Sequence, residues 1–430
     1  MIDPPAGHAP TRTGAVTLML GDRCGVSWLP VVVRSPSPIF MFNADRFITD
    51  RLRAIDASGI RRVFDLAAKL KNPLNLSIGQ PDFDVPDAAK EAAIEAIRSG
   101  FNRYTVTQGI PQLREKVAAH VGEQFPQIKR GLADGDLGSL ITSGVSGGLV
   151  LALLTCVGPG DEVLIPDPYF VMYRHLVALA GATPVFIDTY PDFQLTPQRI
   201  EPHITPRSKM LLFNSPSNPT GVVSPEAQCQ QVGELAQRHN LLLLADEIYD
   251  EFCYEKTAPE DGSPPRCPSP AAYNRHVLLL RGFSKTYGMT GWRLGYAVGP
   301  KPIIEQMTKL QQYSFVCAPS MAQIAGVAAL DLDMSGNVEQ YRRKRDLVVE
   351  RLCPTYNLTV PGGAFYAFPE VPPRLGLTAT QFVERAVERN LLIIPGSVFS
   401  ERDTHLRISY ACDDEVLNRG LDVLLELANG

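Results

Sequence analysis

Lys285 stands where an ammonium is costly to keep. The stretch 278–296 reads LLLRGFSKTYGMTGWRLGY: an apolar run, a break at Gly282, a lysine on a small-residue loop, and Arg293 past a second glycine turn. Burial disfavours the charged amine, lowers its pKa and makes it a usable nucleophile or base. Schiff-base formation with an aldehyde cofactor is one reaction that needs such an amine. A second charged group ends a second apolar run. LLLLADEIYDEF, 241–252, puts Asp246 just beyond a leucine-rich strand, where an isolated carboxylate is costly unless paired or hydrogen-bonded. Capping of a following helix is its plain alternative.

Two further groups carry ambiguous chemistry. Gly144-Val145-Ser146-Gly147-Gly148 follows a strand and opens a helix, and free N–H groups at such a start favour an anion. The same residues also satisfy G-x-S-x-G, the nucleophile elbow of an α/β-hydrolase, with His405 downstream in a fitting order. On this motif alone both readings stand. Arg407 alternates with Leu406 and Ile408 in HLRISYA, so it is expected to face away from the apolar side of its strand, with a salt bridge as its ordinary use. Asn218-Pro219 in SKMLLFNSPSNPTG reads by itself as a turn.

The elements that must position these groups come in a repeating order. Residues 1–40 mix Pro, Gly and scattered arginines and read as a disordered extension; Met41 is a candidate natural start. A helical pattern begins at Asn43. LNLSIGQPDFDVP (74–86) is a short strand breaking at Gly79, and the helix 88–100 stops at Gly100. Pro111 starts an amphipathic helix. Strands then alternate with helices: 137–157 (strand, turn, helix), 161–170, 181–190, 208–221, helix 225–239, and 241–252. Residues 255–275 read as a surface loop. After the lysine segment come helices 302–313, 322–332 and 336–353, then a smaller α/β unit closing with a helix from Asp413. Strands delivering groups at or beyond their ends fit an open, mostly parallel sheet, which binds ligands there.

The bulk numbers exclude several classes. A chain of 430 residues suggests two domains, or one large α/β domain with an appendage. Its 45% hydrophobic and 20% charged content is that of a soluble globular protein. With net charge −5 and no basic run, nucleic acid is not an expected partner, and no stretch approaches a membrane span. Eight cysteines without a CxxC pair read as reduced thiols of a cytoplasmic enzyme, and the seven histidines show no metal spacing, so no metal is expected.

SKTYGMTGWRLGY and NSPSNPTG, with the segments around Gly79, Tyr104 and Gly144, resemble the class I/II aminotransferases over nearly the whole chain from Asn43. The resemblance implies an α/β protein of pyridoxal-phosphate fold type I. That means a three-layer α/β/α large domain with a mainly parallel sheet (79–329), plus a smaller α/β domain from 41–78 and 330–430. It implies pyridoxal 5'-phosphate on Lys285 as an internal aldimine, with Lys285, Asp246 and Tyr249 catalytic. Asp246 would pair with the pyridine nitrogen, and Asn218 and Tyr249 with the phenolic oxygen. Phe170 would stack on the ring. Val145, Ser146, Ser284 and Arg293 would hold the phosphate with Tyr104 of a second subunit, so a homodimer with shared sites is expected. Gly79, Asn218 and Arg407 would bind substrate, Arg407 gripping its α-carboxylate. Some members carry a serine where this chain has Gly282. The implied reaction is ping-pong transfer of an amino group from an L-amino acid to a 2-oxo acid. A lyase or an aminocyclopropane-carboxylate-synthase-like enzyme on the same scaffold is the alternative. Phe365, Tyr366 and Phe399 are open to two readings, side-chain pocket or core.

Overall fold

The computed structural model describes residues 42–53, 55, 70–259 and 262–429. The expected extension 1–40 and Met41 lie outside the described residues. Phe42–Ile48 belong to a unit of their own, a 3-10 turn (Ala44–Phe47) started by the Asn43 side chain, which accepts from the Asp45 N–H at 3.1 Å. All the remaining elements belong to a second unit, which begins at Thr49.

That unit opens with one helical turn, Asp50–Arg53, and strand β1 (Leu74–Asn75). The helix Asp87–Arg98 stops as its glycine predicts: Gly100 sits at φ 87°, and the Phe101 N–H reaches back to the Ala96 carbonyl at 2.8 Å. Pro111 is the first residue of the helix Pro111–Gln124. Strands and helices then alternate: β2 (Leu137–Thr142), helix Gly144–Cys156, β3 (Glu162–Asp167), helix Met172–Leu179, β4 (Thr183–Asp188), β5 (Ser208–Asn214), helix Glu226–Arg238 and β6 (Leu242–Asp246). β7 (Leu278–Gly282) and β8 (Gly295–Pro300) complete a seven-stranded sheet of order β2-β8-β7-β6-β5-β3-β4. Only β8 runs against its neighbours.

Side chains along the central strands alternate between two apolar layers, as the period of a strand requires. Leu211, Phe213, Leu243, Ala245 and Leu279 pack with Val117, Val232 and Ala325 of the helices on one face. Met210, Leu212, Leu244, Leu278 and Leu280 pack with Leu149, Tyr173 and Met307 on the other. Because both faces are covered, these strands read as unbroken hydrophobic runs. This is the three-layer α/β/α arrangement expected from the sequence.

A second assembly lies in the C-terminal third. The helix Ser335–Leu352 leads to β9 (Tyr366–Ala367), the helix Ala379–Glu388, β10 (Leu391–Leu392), β11 (Ile394–Pro395), β12 (Leu406–Ser409) and the helix Asp414–Asn429. β1 pairs with β10, and β11-β12-β9 form a small antiparallel sheet. Leu74 and Leu76 share one apolar cluster with Val348, Phe382, Leu406 and Leu421. On that packing we propose, within the second unit, the expected division at residues 79 and 330: described residues 70–78 with 330–429, and 79–259 with 262–329.

Three expectations change. Asp246 is the last residue of β6, and turns come after it rather than a helix, so it caps no helix; its Oδ1 accepts from the Ile248 N–H of the turn at 3.4 Å. Arg407 alternates with Leu406 and Ile408 as expected, yet all four residues of β12 are buried, and its partners are an amide oxygen and a carbonyl rather than a salt bridge. The 255–275 segment is not simply a surface loop. Arg266 is buried on Glu226, Ser269 is buried on Glu247, and Cys267 is buried, because the segment packs over the end of the helix Glu226–Arg238.

Gly295 faces Gly282 across β7–β8 and abuts the start of the helix at Gly144. A Cβ at 295 would lie 2.7 Å from the Gly144 carbonyl carbon and 2.8 Å from the Val145 nitrogen, both backbone atoms that cannot swing aside. Gly295→Ala is therefore expected to lower unfolding free energy by about 1–3 kcal/mol, read by urea denaturation.

Candidate active site

The carboxyl ends of β2, β3, β5, β6 and β7 meet at one cavity of about 230 Å³. It is lined by Gly79, Val145, Ser146, Phe170, Asn218, Asp246, Tyr249, Ser284, Lys285, Arg293 and Arg407. Thus every residue expected at the site except Tyr104 is gathered there from segments far apart in sequence. Tyr104 is 85% exposed and does not line the cavity.

Strand register explains the convergence. Asn214 lies directly beside Asp246, and Asp246 beside Leu280, so three neighbouring strands end together. The Asn214 side chain locks that edge: its Nδ2 donates to the Asp246 carbonyl at 2.8 Å, and its Oδ1 accepts from the Asn218 N–H at 3.0 Å. Asp246 is buried, and its Oδ2 accepts from the Tyr173 hydroxyl at 2.7 Å. Desolvation pushes its carboxyl up to about 6, and the Tyr173 hydrogen bond opposes that rise.

Lys285 is part-buried, and its Nζ donates to the Gly79 carbonyl at 2.5 Å. Desolvation first, then the Arg407 charge, pulls its amine down to about 8, while Asp246 pulls the other way. The Tyr249 and Phe365 rings lie 5.6 and 5.7 Å from Nζ. Arg407 is 2% exposed and is held by the Ser77 carbonyl at 2.7 Å and the Asn218 Oδ1 at 3.2 Å. Its Nε is buried without a partner, and the residue lines the cavity.

Opposite, the helix Gly144–Cys156 begins with Gly144 at φ 69° and no side-chain cap, so its first N–H groups are open to an anion. A Cβ on Gly144 would lie 2.7 Å from Arg293 Nη2, so the guanidinium sits directly against this turn. Ser146 and Ser284 complete the wall. A serine at Gly282 would be tight: a Cβ there would meet Gly295 Cα, the Leu294 carbonyl and Val145 Cγ2, each at 3.2 Å. His405 is stacked 5.1 Å from Phe368, between aromatic rings, and lines no part of this cavity. The nucleophile-elbow reading of Ser146 therefore has no base beside it.

Sequence reasoning missed Tyr173 and Asn214 as site residues and left Tyr366 undecided. Asn214 carried the same signal as Asp246, a polar residue ending an apolar strand. Tyr173 carried none beyond standing three residues after Phe170, whose ring it meets edge-on at 5.7 Å. Tyr366 lines the cavity, whereas Phe365 and Phe399 are buried behind it.

Comparison with known proteins adds an independent line. Residues 71–424 match the family model described as aminotransferase class I and II. The chain is 36% identical over 390 residues to the aromatic-amino-acid aminotransferase 2 of Thermococcus litoralis, covering 87% of this chain and 96% of that one. It is also 36% identical over 390 residues to an aspartate aminotransferase of Pyrococcus abyssi, with the same coverage. The solved aspartate aminotransferase from Thermus thermophilus with maleate superposes with a TM-score of 0.80 at 32% identity, covering 88% of this chain and 99% of that one.

The neutral form of the Lys285 amine exists above its midpoint, so its reactivity should rise with pH through about 8. Labelling of cofactor-free protein by an aromatic aldehyde with cyanoborohydride should increase about tenfold from pH 7 to pH 9 at this residue. Arg407→Met should move the midpoint up, and Asp246→Asn should move it down. A midpoint near that of a surface lysine, read by peptide mass spectrometry, would contradict the burial argument.

Proposed function

We propose a function on one premise: the chain belongs to the class I and II aminotransferase family and is an aminotransferase. Our reading is that it uses pyridoxal 5'-phosphate, held between Arg293 and Asp246, to move an amino group from an L-amino acid to a 2-oxo acid. The observation that carries this reading is a charge imbalance. Lys285, Arg293 and Arg407 line one cavity with a single carboxylate, Asp246. Among the described residues none of the three cations has a carboxylate partner within salt-bridge distance. A ligand set with a phosphate and a carboxylate restores the balance, and the donors fit it.

Each residue then has a task. Arg293 and the open N–H groups at Gly144–Ser146, with Ser146 and Ser284, hold the phosphate. Asp246, steadied by Tyr173, faces the pyridine nitrogen and keeps it protonated. Asn218 and Tyr249 hydrogen-bond the phenolic oxygen, and Phe170 covers one face of the ring. When bound, the cofactor supplies an aldehyde carbon for imine chemistry and an electron sink that acidifies the amino acid's Cα–H. Arg407 holds the α-carboxylate through two parallel N–H donors, and so fixes which bond at Cα faces Lys285. The Lys285 amine, whose neutral form burial makes more accessible than in a surface lysine, accepts the Cα proton and returns it. Gly79 supplies a carbonyl that holds Nζ in place.

Tyr104 suits a role in a second copy. It is exposed beside Phe101 and Val106, and Tyr313, Phe315 and Val316 are further exposed apolar residues. A homodimer that buries Tyr104 in its partner's phosphate site fits that surface. No helix among the described residues is long and apolar enough to cross a membrane. A reducing, cytoplasmic setting suits the seven free cysteines found there.

Borohydride reduction of the cofactor-loaded protein should leave a pyridoxyl mass on the Lys285 peptide and on no other; a label elsewhere sinks the assignment. Arg407→Gln should cut kcat/KM for amino acids about 100-fold, mostly through KM, because two charge-assisted hydrogen bonds are lost. Steady-state kinetics in which kcat alone falls would speak against the anchor role.

A further inference from the structure

We propose that Tyr366 is a positioning residue serving two parts of the site at once: its hydroxyl orients the Tyr249 hydroxyl, and its ring seats Arg407. The inference rests on the proposed reading of the cavity as a pyridoxal-phosphate site.

The geometry begins in the small sheet. Tyr366 of β9 pairs with Ser409 of β12, and Arg407 lies two residues from Ser409 on the same strand. The two side chains are therefore diagonal neighbours on one face, within reach for an aromatic ring and an arginine. The Arg407 guanidinium carbon lies 4.7 Å from the Tyr366 ring centroid and 4.6 Å from that of Phe399. Both rings are fully buried, and a desolvated cation–π contact is stronger than an exposed one. Arg407 has no carboxylate beside it among the described residues, so these rings, the Ser77 carbonyl and Asn218 are its surroundings.

The other end of Tyr366 reaches across the seam. Its hydroxyl is 2.9 Å from the Tyr249 hydroxyl, with the two rings edge-on at 5.8 Å. Tyr249 has no other hydrogen-bond partner on its hydroxyl among the described residues. One phenol of the pair must donate to the other. If the Tyr249 proton is to meet a ligand's phenolic oxygen, the bond between the tyrosines must run from Tyr366 to Tyr249. That donation turns the Tyr249 proton toward the cavity and polarises it into a better donor. The titratable and charged groups facing this pair are Arg407, Asp246, Tyr173 and Tyr410, with Lys285 over the Tyr249 ring. The same hydroxyl fills the space beside Gly79, where a Cβ would lie 2.9 Å from it. The need for glycine at 79 is therefore set by Tyr366.

Hydroxyl and ring can be separated by two variants. In the holoenzyme, Tyr366→Phe should raise the pH midpoint of the bound cofactor's visible band by about one unit, because the ionised phenolic oxygen loses part of its hydrogen bond. It should leave KM for the amino acid within twofold, because the ring remains. Tyr366→Leu should shift the band equally and raise KM about fivefold to tenfold. Adding Tyr366→Phe to Tyr249→Phe should shift the band no further, since the effect travels through Tyr249. An unmoved midpoint in Tyr366→Phe overturns the hydroxyl's role, and an unchanged KM in Tyr366→Leu overturns the ring's. A fall in thermal midpoint alone, with band and KM intact, reduces Tyr366 to packing and overturns both. If wild type acquires no band after added pyridoxal phosphate, the reading of the cavity fails and the inference goes with it.

Discussion

The structure depends on keeping cations in a poorly solvated cavity without enough carboxylates to match them. Burial of a charge is unfavourable unless it is paired or well hydrogen-bonded. One layer below the cavity the chain obeys that rule fully. Arg281 of β7 is buried against Glu247 at 2.7 Å and Asp250 at 3.0 Å, and Gln124 takes a further donor. Four residues further on, Lys285 has only a carbonyl. Arg407, buried as deeply as Arg281, has carbonyl and amide oxygens and an unsatisfied Nε. The contrast marks where the protein completes its own electrostatics and where it leaves them for a ligand to complete.

Holding such groups in place requires rigid neighbours, and the sheet supplies them. Asn214, Asp246 and Gly282 end adjacent strands whose side chains are locked between two apolar layers. Close packing of that kind limits how far a charged group can move to find water or a counter-ion. The tight contact of Gly295 with the Gly144 turn does the same for the start of the helix at Gly144. Preorganisation of this sort is the main route by which a fixed polar environment stabilises developing charge.

Two clusters meet at the cavity. Tyr249 belongs to the turn after the large sheet, yet it packs with Phe365 and Tyr366 in the cluster of the C-terminal third. Arg407 comes from that third and reaches Asn218 at the end of a large-sheet strand. The proposed substrate anchor and the proposed cofactor contacts therefore lie on both sides of one seam, joined by a few side chains. Any small displacement of one cluster against the other would change the distance between Arg407 and Lys285.

Sequence alone determined the order of elements, the mostly parallel sheet and the positions of Lys285, Asp246 and the glycine turn, because apolar runs interrupted by a charge or glycine are local signals; Asn218 and Arg293 were singled out by the family resemblance. Strand ends, the Pro111 helix start and the Gly100 stop were legible for the same reason. Tertiary structure decided what depends on contacts between distant segments. Periodicity put Arg407 opposite Leu406 and Ile408, but a two-residue repeat cannot distinguish a solvent-facing side from one buried against another cluster. Tyr173 was indistinguishable from a core tyrosine until its hydroxyl was found on Asp246, 73 residues away. Tyr366 likewise acquired a defined place only when folding brought β9 against β12 and against the turn carrying Tyr249. Local sequence encodes where a chain bends and which stretches are buried; the partner a buried polar group finds is set by which segments the fold brings together.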